Sequence, residues 1–257
     1  MSNIPLEHAV SELESYKSYM ASKYLSIKHS SYFHVYDEIF GKYRGRPITF
    51  VEVGVLNGGS LFMWRDYFGP QARIIGIDFN PAAKKWAAEG FEIHIGNQAD
   101  PNFWSEFFQS VGMVDVVLDD GGHTNEQQIV TTLATIPHIR DGGVLMVEDV
   151  HASYMRQFSN PSRYSFVNFS KFIVDVLNTR FPKIRGSKHV LRNMVYSISF
   201  FESIVSFRVD RRLCFASVPT SNDGVSENAQ DFYQHIASSR GLLAQLRNLS
   251  LGRFFQK

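Results

Sequence analysis

Cys214 is the single cysteine in 257 residues. That excludes an intrachain disulfide and fits a reducing compartment. Charge of one sign is also missing: 26 Lys and Arg stand against 25 Asp and Glu, a formal net charge of +1. Proteins that grip a phosphate backbone usually present a basic surface, so nucleic acid is not the expected partner. No window approaches the roughly 20 apolar residues of a membrane span. The opening MSNIPLEHAVSELESYK is polar and amphipathic and lacks the apolar core of a secretion signal. Neither a Gly-x-Ser-x-Gly elbow nor a P-loop lysine motif occurs. These absences predict a cytoplasmic protein that neither enters a membrane nor binds nucleic acid.

What is present is ample core material. Apolar residues make up 44% and charged residues 20%, the balance of a globular chain of one large domain, with or without appendages. Leu6, Val10, Leu13, Tyr16, Met20 and Tyr24 recur at helical spacing, which predicts a helix over 6–24. A second helix is expected from Tyr32 to Tyr43. From Ile48 to Val150 the pattern changes to strict alternation. Apolar, β-branched strands end near Val53, Asp78, Gly96, Asp120 and Asp149, and helical segments separate them. Alternation of this kind needs crossover connections and implies a parallel sheet covered by helices on both faces. After Val150 come a loop, the amphipathic helix SFVNFSKFIVDVLNTRF, and two or three strands with short joins, the last holding Cys214 as a small apolar residue. A parallel core finished by an antiparallel hairpin is a common α/β form. The expected organisation is a helical lid or oligomerisation segment (1–45), a main domain (46–218) and a basic helical tail (219–257). The tail's apolar positions, Phe232, Ile236, Leu242, Leu243, Leu246 and Leu249, suit packing on a second subunit, so a homo-oligomer is expected.

The first strand runs into FVEVGVLNGGSLFMW, where Glu52-x-Gly54-x-x-x-Gly58-Gly59 precedes a helix, with Asn57 inside the loop. In open α/β sheets ligands bind at this edge, and glycines let the backbone turn and approach them. The spacing is not the G-x-G-x-x-G of dinucleotide enzymes. It suits a ligand without phosphates, such as S-adenosylmethionine, whose amino-acid end main-chain groups can hold. Asp78 at the second strand tip is placed to accept ribose hydroxyls, and Asn97 and Gln98 at the third to read an adenine edge.

The fourth strand ends in Asp119-Asp120 and the fifth in Glu148-Asp149. Neighbouring strands lie about 4.8 Å apart, so these tips would gather several carboxylates. Such a cluster must protonate or take a cation. Hard oxygen ligands without cysteine favour Mg²⁺, with Mn²⁺ or Ca²⁺ as substitutes. His123 follows on the loop opening the fourth helix. Thr124 and Gln127 already form a capping-box pattern, which leaves His123 free to take a hydroxyl proton. His151 and Tyr154, just past Asp149, are candidate acceptor contacts. His29 and His34 are expected to be ordinary packing or solvated residues, and Trp64, Tyr67 and Phe68 core.

FVEVGVLNGGSLFMWRDYFGPQARIIGIDFNP, VVLDDGGH and VLMVEDVHASY resemble the metal-dependent sugar O-methyltransferases of macrolide biosynthesis, the related family named for cephalosporin hydroxylase and, more distantly, the catechol O-methyltransferases. The likeness covers Tyr32 to Tyr154 well and Phe200 to Arg208 loosely. It implies a Rossmann-like class I methyltransferase fold, with a mostly parallel seven-stranded sheet and an antiparallel hairpin. It implies S-adenosylmethionine as methyl donor, with Glu52, Gly54, Ser60, Asp78 and Gln98 in the cofactor site. Asp120, Glu148 and Asp149 would be Mg²⁺ ligands and His123 the general base, while Asp119 would face the cofactor or support its loop. Gly122 departs from the serine more often found there. The implied reaction is methylation of a sugar hydroxyl of a glycoside or natural product. The alternatives are a phenolic or polyketide hydroxyl, and a cofactor-binding accessory protein without turnover.

Overall fold

The computed structural model describes residues 10–158 and 164–225, and the chain divides into two compact units, 1–217 and 218–257. The expected helical tail and the start of the first expected helix lie outside the described residues. Of the second unit only 218–225 is described, without regular structure.

The first unit is built on a seven-stranded sheet of order β3-β2-β1-β4-β5-β7-β6. The strands are β1 (Thr49–Val53), β2 (Arg73–Asp78), β3 (Glu92–Ile95), β4 (Val114–Asp119), β5 (Ile139–Val147), β6 (Val195–Phe201) and β7 (Ile204–Val209). Strands β3, β2, β1, β4 and β5 run parallel; β7 is antiparallel to β5, and β6 to β7. The segment after β7, expected to hold a further strand, is instead a 3-10 turn at Arg211–Leu213. Cys214 therefore lies outside the sheet, its thiol hydrogen-bonding the Asp210 carbonyl at 3.2 Å.

The central strands are buried on both faces because their runs are almost wholly apolar: Phe50, Val51 and Val53 in β1, and Val116, Val117 and Leu118 in β4. Alternation splits them between two cores. Phe50, Val116, Leu118, Val144 and Met146 face one core, with the aromatic residues of α2 (Tyr32–Phe40) and α3 (Gly59–Phe68), including Trp64, Tyr67 and Phe68. Val51, Val53, Val117, Leu145 and Val147 face the other, with α4 (Pro101–Val111) and α6 (Phe166–Asn178). Val114 joins the second core, out of phase with Val116, because the β4–β5 register shifts between them.

The chain runs outward through β1, β2 and β3, then returns to place β4 on the other side of β1. That reversal opens a crevice at the carboxyl ends of β1 and β4, the usual place for a ligand in such sheets. The helix expected over 6–24 ends sooner. α1 covers Glu14–Ala21, and its first amides, those of Glu14 and Ser15, are capped by Asp37 of α2 at 2.8 and 3.0 Å. Residues 22–31 are not helical. They run extended across the crevice with alternating exposure, Ser22, Tyr24, Ser26 and Lys28 inward. Ser22 Oγ anchors this strap by donating to the Gly59 carbonyl at 2.8 Å. No helix among the described residues is long and apolar enough to cross a membrane.

Candidate active site

A cavity of about 710 Å³ fills the crevice. The loop from β1 to α3 forms its floor. Gly54 has φ +93°, and a Cβ there would lie 2.1 Å from the Asp120 carbonyl oxygen, so only glycine lets this loop meet the one after β4. Asn57 and Ser60 line the cavity, whereas Glu52 and Gly58, expected in the cofactor site, are not among its lining residues. Glu52 is fully buried. Its carboxylate accepts from Ser60 Oγ at 2.8 Å and Trp64 Nε1 at 3.0 Å, and so ties the start of α3 to β1. Burial pushes its pKa up to about 7, against the pull of Lys28.

The tips of β2 and β3 form the next wall. Asp78 accepts the amides of Val55 and Leu56 at 2.9 and 3.0 Å with one oxygen and the Asn80 amide at 2.7 Å with the other. It shapes the glycine loop from outside while also lining the cavity. Asn97 lines it too, its side-chain oxygen turned to the Ala99 amide at 2.9 Å. Gln98, expected to read an adenine edge, is committed to the protein. It donates to Asp119 Oδ1 at 2.9 Å and Thr131 Oγ1 at 3.1 Å, and accepts the Gly122 amide at 2.8 Å. Missed in the sequence is an apolar rim of exposed side chains on this cavity: Leu25 and Ile27 of the strap, Leu56 and Phe79.

The paired aspartates part company because successive residues of a strand face opposite sides. Asp119 turns toward Gln98 and α5 (Asn125–Thr135), is 1% exposed, and has one oxygen without a partner among the described residues. Burial raises its pKa to about 7, against the hydrogen bonds from Gln98 and the Gly121 amide. Asp120 and Glu148 turn to the other side, where Lys28 waits. The Lys28 ammonium lies 2.6 Å from Asp120 Oδ2, 3.0 Å from Glu148 Oε2 and 4.0 Å from Glu52 Oε1, with its side chain 2% exposed. Burial opposes its charge, but the three carboxylates outweigh burial and hold its pKa above the ordinary lysine value. Glu148 Oε1 accepts the Tyr36 hydroxyl at 2.5 Å, and Asp149 Oδ1 that of Tyr32 at 2.5 Å. Burial, then the facing carboxylates, push both phenols up, so both remain donors.

His123 and Asp149 both adopt left-handed backbone conformations, with φ +59° and +53°. For non-glycine residues this is an uncommon, strained state that clusters at functional sites. It brings His123 Nε2 to 3.4 Å from Asp149 Oδ2. The predicted capping box is present: Thr124 and Gln127 serve each other's amides, and a Cβ at Gly122 would lie 2.3 Å from the Gln127 amide group. A side chain at 122 would therefore displace the Gln127 amide from its place in this cap. Asp120, His123 and Asp149 offer ligand atoms all within 4.8 Å of one another; a second such group is His29, Asp149 and His151. Glu148, expected as a ligand, is in neither group; its two oxygens face Lys28 and Tyr36. His29, expected to be uninvolved, lies 3.9 Å from Asp149, whereas His34 is solvent-exposed. His151 hydrogen-bonds Ser203 and also lies 3.9 Å from Asp149, and Tyr154 is exposed beyond the rim.

The carboxylates of this group suit a hard divalent cation, and Mg²⁺ characteristically takes one or two carboxylates and keeps water for the rest, whereas imidazole favours softer metals. The cavity volume falls in the usual range for a cofactor-sized ligand, about 300–1,000 Å³.

Residues 51–150 match a family described as a methyltransferase domain. The chain is 31% identical over 212 residues to demethylmacrocin O-methyltransferase of Streptomyces fradiae, covering 73% of this chain and 53% of that protein. It is 31% identical over 183 residues to 8-demethyl-8-alpha-L-rhamnosyl tetracenomycin-C 2'-O-methyltransferase of Streptomyces olivaceus, covering 63% and 47%. It therefore spans about half the length of the curated relatives it matches. The fold is shared with MycE methyltransferase from the mycinamycin biosynthetic pathway, solved in complex with Mg, SAH and mycinamycin VI: TM-score 0.68 at 22% identity, over 88% of this chain and 58% of that one. Residues 51–150 thus resemble a methyltransferase domain, and over the part it shares with them the chain is similar to the macrolide sugar O-methyltransferases.

Proposed function

We propose that this chain is an S-adenosylmethionine- and Mg²⁺-dependent O-methyltransferase acting on a sugar hydroxyl of a glycosylated natural product. The observation that carries the reading is one cavity lined both by the glycine loop with Asp78 and Asn97 and by Asp120, His123 and Asp149. A donor held along the first wall would present its methyl group to an acceptor at the second. The apolar rim of Leu25, Ile27, Leu56 and Phe79 suits the faces of an adenine ring and exclusion of water. The backbone loop held by Asp78 suits the amino-acid and ribose parts.

Asp120 and Asp149, with Glu148 at the same strand tip, are the residues that would hold the cation, and His123 beside them keeps its imidazole free to act as a base. When bound, the cation would bring two adjacent hydroxyls of the acceptor together and lower the pKa of one. His123 then takes the proton at Nε2, and Asp149, 3.4 Å away, stabilises the imidazolium that results. The acceptor oxygen forms its bond to the methyl carbon as the carbon–sulfur bond breaks, and the bonding pair leaves with sulfur. The strained His123 and Asp149 backbones hold both groups before the acceptor arrives, and such positioning supplies much of the rate. His151 and Tyr154, on the segment after Asp149, belong to the acceptor side. A cytoplasmic location and self-association through the N-terminal helices complete the reading; equilibrium sedimentation tests the latter.

The test is a methyl-transfer assay with labelled S-adenosylmethionine on paired acceptors, each glycoside beside its sugar-free aglycone, with Mg²⁺ or chelator. Methylation of the glycoside alone, abolished by chelator, is expected. Transfer to the phenolic aglycone would remove the sugar assignment. Absence of S-adenosylmethionine binding by calorimetry would remove the whole reading.

A further inference from the structure

His29 has no part in the chemistry just described, and His151 only a general place on the acceptor side. The two nevertheless meet. His29 lies on the strap, where alternation sends neighbouring side chains opposite ways: that of Lys28 is 2% exposed and that of His29 65%. His151 lies in the 3-10 turn Val150–Tyr154 that follows β5. The two imidazoles stand edge to face, with centroids 5.6 Å apart. Asp149 lies beside both, and its two oxygens face different ways. Oδ2 is 3.4 Å from His123 Nε2, whereas Oδ1 is 3.9 Å from His29 Nε2 and 3.9 Å from His151 Nδ1. His29, Asp149 and His151 each offer a ligand atom, and the three atoms lie within 4.8 Å of one another.

This outer group differs in kind from the carboxylates behind it. Two imidazoles and one carboxylate suit Zn²⁺ and its neighbours Co²⁺, Ni²⁺ and Cu²⁺, whereas Mg²⁺ prefers oxygen throughout. Three protein ligands leave a fourth tetrahedral position for water. Metal ligands are usually steadied by hydrogen bonds from behind. Here the Tyr32 hydroxyl donates to Asp149 Oδ1 at 2.5 Å, and the Ser203 hydroxyl meets His151 Nδ1. Ser203 has φ +66°, and its carbonyl accepts the Val150 amide at 3.0 Å, which ties the β6–β7 turn to the His151 segment. Both imidazoles reach solvent, so an ion can arrive without crossing the cavity.

We propose that His29, Asp149 and His151 form a second cation site, for Zn²⁺ or a like borderline ion, that clamps the strap to the tip of β5. The site leaves Asp120, Glu148 and Asp149 to Mg²⁺ and shares only Asp149 with them. It does not depend on the methyl-transfer reading. An ion there would hold the strap down across the crevice and draw charge from Asp149. It would therefore oppose the proposed reaction rather than serve it.

The experiment titrates Zn²⁺ into the full chain by calorimetry, with Mg²⁺ in large excess, at about pH 7.5, where an ordinary imidazole is neutral. Co²⁺ then replaces Zn²⁺ so that visible absorption reports the ligands. The variants are His29→Gln, His151→Gln and, as control for the inner group, His123→Gln. Loss of a residue behind a metal ligand costs about tenfold to a hundredfold in affinity. His29→Gln and His151→Gln remove ligands themselves, so each should weaken Zn²⁺ by at least about tenfold and dim the Co²⁺ bands. His123→Gln should stay within about threefold of wild type. His29→Gln, altered at a mostly exposed side chain, should melt like wild type without metal. Trypsin reads the clamp. Zn²⁺ should slow the cut after Lys23, exposed on the strap, in wild type and His123→Gln but not in His29→Gln. Zinc binding that survives both outer substitutions, or that is lost in His123→Gln alone, overturns the proposal. So does a cut after Lys23 that zinc leaves unchanged. A wild type that binds no Zn²⁺ also overturns it, while chelator-sensitive methyl transfer in Mg²⁺ would leave the function reading standing.

Discussion

At the tip of β2 and just after β3, Asp78 and Asn97 turn their oxygens to backbone amides, whereas the carboxylates at the tips of β4 and β5 meet side chains. Asp78 and Asn97 hold amides of their own loops. Asp120, Glu148 and Asp149 are held by Lys28, Tyr36 and Tyr32. The first wall is a shaped surface, able to receive a ligand with no change in protonation or charge. The second is a set of interlocked charges whose balance changes when a cation or a proton arrives. On the proposed function, one wall would govern whether a cofactor fits, and the other whether chemistry follows. Gln98 and Gly54 are the joints between them, the first through Asp119 and Gly122, the second through the Asp120 carbonyl.

The largest effect is expected where only the second wall is cut. Asp149→Asn removes a donor shared by both metal-ligand groups and the partner of His123. It should lower methyl transfer by about a thousandfold, with S-adenosylmethionine affinity held within about threefold by calorimetry. A matching loss of cofactor affinity would show that the walls do not act separately. His123→Ala should cost about a hundredfold to ten-thousandfold in single-turnover rate, the span of a lost general base. It should leave cofactor binding intact, and full activity would refute the base assignment.

Gly54→Ala strikes the joint. A methyl group 2.1 Å from a backbone oxygen, at φ +93°, must push the two loops apart. A loss of about 1–3 kcal/mol in stability is expected, with cofactor and metal affinity falling together. If one falls alone, Gly54 is not the joint.

The smallest effect is a pH slope. Burial raises the Asp119 pKa to about 7 in the folded chain, whereas an unfolded aspartate titrates near about 3.9. The folded state therefore binds the proton more tightly. The stability this confers is complete below the unfolded value and is lost as pH rises through about 7. Asp119→Asn mimics the protonated form. It should match wild type at low pH and exceed it above pH 7 by roughly 1–2 kcal/mol, a discounted share of the shift. Urea titrations across that range measure it; a variant less stable than wild type at every pH would mean that the carboxylate itself is needed.

Much of the sheet was legible because its strands are almost wholly apolar and end in acidic or glycine-bearing tips. Those tips also exposed Asp78, Asp119, Asp120, Glu148, Asp149 and His123 as candidates. What stayed hidden was which way each pointed and what it met. Gln98 looked like a free amide at a strand tip, but the return of β4 beside β1 brings Asp119 and Thr131 to it. Lys28 was unreadable for a different reason. The strap around it alternates, but its inward residues are Ser22, Tyr24, Ser26 and Lys28, mostly polar, so periodicity reports an exposed segment. His29 was passed over because it lies before the sheet, where a histidine reads as packing or solvated surface.

Sequence alone determined that the chain forms a parallel sheet with acidic tips around a glycine loop, because hydrophobic periodicity and local turn chemistry are short-range properties. It also determined the cap at Thr124 and Gln127, which needs only residues three apart. Tertiary structure decided that Asp119 and Asp120 belong to opposite faces, that Glu148 meets Tyr36, and that a lysine from the strap lies among the carboxylates. Those outcomes depend on strand order and on a segment some 90 to 120 residues away in the chain. Charges separated by that much sequence meet only when the fold has closed.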